Sequence, residues 1–294
     1  MYDALYGEYD ELKRVSEGRI FAYNEGLPGI AWASAAPQII TDLENSYFLR
    51  KEATKRAGLK AGIAIPIFAG EFLTAVVIMF CRDKDINGDH LTGAIELWSN
   101  PDKQSNTLKL QDAFYVSHLS KLKNSSLDMK FGKGSGLPGS AWDYRIPMVV
   151  ENMLDSSLFH RASTASIEGI TSAIGLPFSY FNGKEYVVTF LSANKTPIAS
   201  RFEIWVPNRE REYLFFHAGS CEKEEELRTI HKRARVHRDE GLLGKVWLSG
   251  IPAISKDLIN DKLVVKGSKR GLSGGLVLPI IEDAFLKSLM VFLF

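Results

Sequence analysis

The sequence predicts an α+β fold arranged as tandem domains, each a central antiparallel β-sheet flanked by helices. Three observations predict it. A seven-residue block recurs, the residues around it keep step in every copy, and each copy closes on short apolar runs separated by turn residues. Gly26-Leu27-Pro28-Gly29-Ile30-Ala31-Trp32 returns as Gly136-Leu137-Pro138-Gly139-Ser140-Ala141-Trp142 and, more loosely, as Gly241-Leu242-Leu243-Gly244-Lys245-Val246-Trp247. A proline stands 11 residues after the first Gly each time (Pro37, Pro147, Pro252), and Asp42, Asn152 and Asp257 stand 16 after it. Gly58, Gly169 and Gly271 then open strands that contain Pro66, Pro177 and Pro279. A period of about a hundred residues is too long for a solenoid and suits tandem domains.

The expected units are 1–92, 93–198 and 199–294. The second and third open alike, with GAIELWSNPDK (93–103) and SRFEIWVPNRE (200–210), so that Glu96 and Trp98 match Glu203 and Trp205. Each opening strand leads through a polar turn to a second strand, at 108–115 and 213–220. The first unit lacks the opening. Its Asp3-Ala4-Leu5-Tyr6 aligns with Asp112-Ala113-Phe114-Tyr115, which places its start part-way through the second strand. The third stops inside its last apolar strand, SLMVFLF (288–294), so the chain reads as a piece of a longer protein.

A helical segment follows the second strand. It is clearest at 222–238, acidic first and basic last, with Leu227, Ile230 and Ala234 at helical spacing. The Gly-x-x-Gly block is expected to be a turn needing positive φ, after which Trp32, Trp142 or Trp247 packs inward. Closing hairpins are expected at 63–80, 172–193 and 274–294, forming the middle of each sheet. Residues 61–80 are long enough for a membrane span, but Pro66, Gly70 and Glu71 interrupt them. Asn182-Gly183 signals a type I′ hairpin in the corresponding stretch of the second unit.

Composition narrows the function. The 294 residues are 45% hydrophobic and 24% charged, enough apolar content for packed cores. Lys+Arg 36 against Asp+Glu 35 leaves a net charge of +1, which gives no support for a nucleic-acid or membrane partner. The basic run His231–Arg238 has no interleaved aromatics and follows an acidic run, as a solvated helix end does. Two cysteines, Cys81 and Cys221, exclude a disulfide framework and a four-cysteine zinc site. The six histidines, His90, His118, His160, His217, His231 and His237, include no pair at helical metal spacing. The N-terminal MYDALYGEYDELK carries no basic region followed by an apolar one, which points to a cytoplasmic setting. Gly134-Ser135-Gly136-Leu137-Pro138-Gly139 spells a dinucleotide fingerprint. Asn24 and Asp239 replace its first Gly in the sister copies, so a turn is the better account.

Together these residues resemble the GAF domain: Gly-Leu-Pro-Gly-x-x-Trp, the proline 11 residues on, then Gly-Leu, a proline-containing strand and an apolar hairpin. The resemblance covers nearly the whole chain as three copies. It implies helices on one face of each sheet and, on the other, loops folded over a small-molecule pocket. It also implies a non-catalytic sensory or regulatory role in signal transduction. Partners would be a small molecule, a second copy in a homodimer, or an output domain on a longer parent chain, with no nucleic acid and no membrane. The cofactor is unknown and no metal site is expected. The alternatives are a scaffold with filled pockets and, more remotely, an enzyme of the free methionine sulfoxide reductase type. The latter needs clustered cysteines, and Cys81 and Cys221 are isolated. Cysteines for bilin attachment and the cyclic-nucleotide signature are also missing.

The candidate ligand-binding residues lie in the pocket-side stretch. A basic residue recurs 24 or 25 positions after the first Gly, in Phe48-Leu49-Arg50, Phe159-His160-Arg161 and Val264-Val265-Lys266. Over an apolar pocket, Arg50, Arg161 and Lys266 would orient an anion, with Phe48, Phe159 and the three tryptophans as walls. The competing reading pairs the cations with Asp42, Asp155 or Asp257 and buries the tryptophans in cores.

Overall fold

The computed structural model describes all residues except 1–2, 85–90, 102–104, 155, 194, 222–228, 230, 232 and 264–270. They form three antiparallel sheets with short helices, an α+β fold. The first sheet runs β1 (Gln38–Ile40), β2 (Leu59–Ala69), β3 (Phe72–Arg82), in that order. The second contains β4 (Gly93–Ser99), β5 (Thr107–Tyr115), β6 (Lys130–Gly132), β7 (Met148–Val150), β8 (Ser172–Ser179) and β9 (Glu185–Ser192), ordered β6-β5-β4-β9-β8-β7. The third contains β10 (Arg201–Pro207), β11 (Leu214–Cys221), β12 (Ala253–Ser255), β13 (Gly275–Glu282) and β14 (Phe285–Leu293), ordered β11-β10-β14-β13-β12.

The second and third sheets share one topology. β5-β4-β9-β8-β7 matches β11-β10-β14-β13-β12, and the strand beside each opening strand is bulged at the same place, at Gln111 of β5 opposite Leu97/Trp98 and at His217 of β11 opposite Ile204/Trp205. The first sheet holds counterparts of the last three strands only. Residues 3–6 form no strand, so the expected start within a second strand does not hold. Residues 61–80 are the hairpin β2–β3, and no described helix is long and apolar enough to cross a membrane. The Asn182-Gly183 turn is not type I′, because Gly183 has φ +74° while Asn182 does not take positive φ. Both positive angles occur instead at Asp283 and Ala284, between β13 and β14. Of the helix expected over 222–238, residues 222–228, 230 and 232 lie outside the described residues, while 233–238 are not helical: Val236 bridges Leu214 of β11, so the basic run does not end as a helix.

The recurrent block is a nine-residue helix rather than a turn alone: α2 (Gly26–Ser34), α5 (Gly136–Tyr144) and α7 (Gly241–Ser249). Between them lie α3 (Lys51–Arg56), α4 (Ser120–Leu127) and α6 (Ala162–Ile167), with α1 (Asp10–Ser16) before α2. The first Gly of the block has φ +58°, +62° or +59°, as the sequence reading required. The second Gly lies under another backbone. A Cβ there would sit 2.2 Å from the Ala22 carbonyl oxygen at Gly29, 2.0 Å from that of Gly132 at Gly139, and 2.2 Å from that of His237 at Gly244. Pro28 and Pro138 fall in the first turn, where the missing N–H has no helical acceptor to lose.

Contacts gather the chain into two compact units. One comprises Tyr6–Pro66 and Val76–Thr196, the other Asp3–Leu5, Ile67–Ala75 and Pro197–Phe294. The first unit has two cores: Leu27, Ala31, Leu43 and Phe48 under β1–β3, and Trp98, Leu108, Phe131 and Trp142 in the six-stranded sheet. The second unit centres on Trp205, Leu214, Trp247, Val277 and Leu289.

Candidate functional site

The sharpest polar feature is a buried carboxylate at the centre of β4. Glu96 pairs across the sheet with Thr189 of β9 and is fully buried. Both terminal guanidinium nitrogens of Arg161 reach it, Nη1 to Oε1 at 2.6 Å and Nη2 to Oε2 at 2.9 Å. Trp98 Nε1 donates to it at 3.0 Å, Thr189 Oγ1 at 2.8 Å and Ser126 Oγ at 3.3 Å, and the Tyr115 hydroxyl donates as well. Arg161 also donates to Ser126 Oγ, and its guanidinium lies 4.9 Å from the Phe159 ring centroid. Burial alone would raise the Glu96 pKa, but the Arg161 charge and the surrounding donors hold it below the ordinary carboxylate range. Burial and the same carboxylate push the Tyr115 phenol up.

The third sheet repeats the theme with other partners. Glu203 of β10 is buried, accepts from Trp205 Nε1 at 2.7 Å and Arg201 Nε at 2.7 Å, and lies 3.3 Å from His231 Nε2. Burial would raise its pKa too, and His231 and Arg201 hold it down. Lys266 lies outside the described residues.

Beside the first sheet the corresponding cation, Arg50, makes no ion pair with a carboxylate among the described residues. Arg50 is 6% exposed, and its Nη1 donates to Ser16 Oγ just as Arg161 donates to Ser126. Aromatic rings surround it, with centroids at 5.0 Å (Phe48), 5.7 Å (Phe80) and 5.8 Å (Phe21). Its Nε is buried with no hydrogen-bond partner, and burial lowers its pKa. An open cavity of about 520 Å³ adjoins it, lined by Arg19, Phe48, Arg50, Lys51, Glu52 and Arg56 among others.

The carboxylates expected to neutralise the basic position are engaged elsewhere. Asp42 accepts from Asn45 and lies 3.3 Å from Lys60, contacts that bring its pKa down to about 2. Asp257 accepts from Asn260, and Asp155 is outside the described residues. The partner of Arg161 is Glu96, which sequence reasoning noted as a repeated residue but did not connect to the cation. Ser16 and Ser126 were missed; their matching places before the recurrent block were the available signal.

The tryptophans divide. Trp142 and Trp247 are buried core members, and Trp142 Nε1 donates to Glu185 at 2.6 Å. Trp32 is 38% exposed and packs edge-on against Tyr23 at 5.1 Å, so it does not pack inward as expected. The physical reason lies in the strands. Trp142 shares its core with Trp98 of β4 and Leu108 of β5, and Trp247 with Trp205 of β10 and Leu214 of β11. The first sheet has no counterpart of those strands among the described residues. Phe48 belongs to the first core, and Phe159 is buried beside Arg161. Among the described residues no three His, Cys, Asp or Glu side chains come together as a metal site.

No protein-family model matches the chain, and no curated protein matches it. The chain is similar to solved GAF domains, each over about a third of its length. The A. aeolicus nlh2 GAF domain in an inactive state is 21% identical, with 35% of this chain and 58% of that chain covered and a TM-score of 0.27. Staphylococcus aureus NreA, mutated in its nitrate-binding site, is 16% identical over 34% of this chain and 75% of that one, with a TM-score of 0.26. A type II free methionine-R-sulfoxide reductase from Thermoplasma acidophilum is 13% identical over 32% and 60%, with a TM-score of 0.25.

Proposed function

We propose that the chain is a non-catalytic regulatory module of tandem GAF-like units, and that the unit expected over 1–92 binds a small anionic molecule. The observation that carries this reading is the Arg50 guanidinium, buried with an unpaired Nε beside a cavity of about 520 Å³ whose lining includes Arg19, Lys51 and Arg56. Arg50 has no counter-charge among the described residues; a buried cation left so is costly, and a bound anion offsets that cost. Signalling would follow from unequal affinity of the ligand for two packings of the units. A structural role suits the GAF-like unit expected over 93–198 better, because Glu96 already neutralises Arg161 there. Burial pushes the Cys81 thiol up to about 12, so it stays protonated at neutral pH, which supports a non-redox reading.

The test is native mass spectrometry of protein from its own source, followed by thermal shift against acetate, nitrate and phosphate. A co-purified anion, and a stabilisation lost in Arg50→Gln, are the expected results. A bare mass with a flat response across the panel would replace this reading with the scaffold. Turnover of free methionine sulfoxide that disappears in Cys81→Ser would replace it with the enzyme.

A further inference from the structure

We infer that Asn182 is a modification site. In the folded chain its side-chain amide is lost as ammonia to attack by the Gly183 nitrogen, leaving aspartate or isoaspartate in the turn between β8 and β9. This goes beyond the ligand-binding reading and does not rest on it.

The turn supplies the parts of the reaction. Phe181, Asn182 and Gly183 form a loop closed by Tyr180 N, which donates to the Lys184 carbonyl at 3.1 Å. Gly183 takes φ +74°, the left-handed position that closes such a loop. Asn182 Oδ1 accepts from the Lys184 N–H at 3.0 Å, which folds the side chain forward along its own backbone. The donor thus sits on the oxygen where negative charge gathers when Cγ is attacked, as an oxyanion donor must. The attacking nitrogen is the next one along the chain, and Gly183 is exposed with no Cβ to shield it. One contact opposes the attack. The Gly183 N–H donates to the Tyr180 carbonyl at 2.8 Å and must leave it first, which costs about tenfold in rate at most.

Asn152 is the contrast within the chain. Its Oδ1 makes the same forward bond, accepting from Leu154 N at 3.2 Å. The nitrogen that would attack belongs to Met153, which is buried and donates to the Thr171 carbonyl at 3.1 Å. Among the described asparagines only Asn182 precedes a glycine; Asn87-Gly88 lies outside the described residues.

In the first step Gly183 N bonds to Asn182 Cγ and gives its proton to solvent. The Cγ–Nδ2 bond breaks, and Nδ2 takes up a proton and leaves as ammonia. Water then opens the succinimide ring. Addition at Cγ gives aspartate, and addition at the main-chain carbonyl gives isoaspartate, whose backbone is one methylene longer. Either way an amide becomes a carboxylate, and the formal net charge falls from +1 to 0. The longer backbone would disturb the rung beneath the turn. Ser179 pairs there with Glu185, Arg145 bonds to both, and Trp142 Nε1 donates to Glu185 at 2.6 Å.

The experiment incubates the full chain, native and in guanidinium chloride, at neutral and mildly alkaline pH. Peptide mapping by mass spectrometry then counts aspartate and isoaspartate at position 182. Native conversion is expected within about tenfold of the denatured rate, since only the Tyr180 bond holds it back. It should be faster at the alkaline pH, because the Gly183 nitrogen must shed its proton, while Asn152 stays intact in the native chain. A native rate at Asn182 more than about tenfold below the denatured one would overturn the inference, because the fold would then protect the residue. Equal native conversion of Asn152 and Asn182 would overturn it as well, since the glycine would then be irrelevant.

Discussion

Glu96 is an acidic residue in a place where burial alone would keep it neutral, and the donors around it reverse that outcome. Removing its charge strands Arg161. Glu96→Ala should therefore cost about 3 kcal/mol or more, measured as a loss of urea unfolding free energy, because breaking a buried pair leaves the other ion uncompensated. Combined with Arg161→Met, much of that loss should return, and the double-mutant cycle reads the coupling directly. The pH dependence has a definite sign. The folded pKa values of Glu96 and Glu203 lie below their ordinary value of 4.5. Their contribution is complete above that value and disappears as pH falls through the lowered folded values. Urea midpoints should hold steady down to about pH 5 and drop below it, and the drop should be shallower in Glu96→Gln. The repeat of Glu-x-Trp was legible in the sequence. Its role was not, because Ser126, Arg161 and Thr189 reach Glu96 from three distant segments and only tertiary register unites them.

The glycine block belongs to the scale of the element. Gly139→Ala would drive a methyl into the Gly132 carbonyl, 2.0 Å from the Cβ position, and should destabilise the chain by roughly 2–4 kcal/mol, an overpacking cost against backbone that cannot move aside. Gly58→Ala is the control. It has φ +66° with open space around it, and should cost only about 1 kcal/mol of backbone strain. Urea denaturation of both variants checks the ordering. The hairpins were visible because proline, glycine and alternating apolar residues mark them locally. The nine-residue helix was hidden because Gly136 through Trp142 are all buried in α5, which leaves no amphipathic stripe to read.

At the scale of the whole molecule, the two compact units predict that unfolding is not two-state. Tryptophan fluorescence and far-UV circular dichroism should give non-coincident urea transitions, with coincident curves as the contrary result. The amides of Val76–Arg82 in β3 should exchange faster than those of β9, since among the described residues β3 has one neighbouring strand and β9 has two. The repeat itself foretold the shared topology of the second and third sheets. The exposure of Trp32 could not be foreseen from its copies, since an aromatic side chain is buried only if neighbouring strands supply its cover.

The second and third sheets neutralise the same glutamate from different sources, Arg161 after the pocket-side loop in one and Arg201 within the strand itself in the other. Grafting β10 into the place of β4 would bring two guanidinium groups to one carboxylate, and grafting β4 into the place of β10 would take Arg201 away. The copies are thus alike in outline yet no longer exchangeable parts, and a chimera would have to move each strand together with its own counterion.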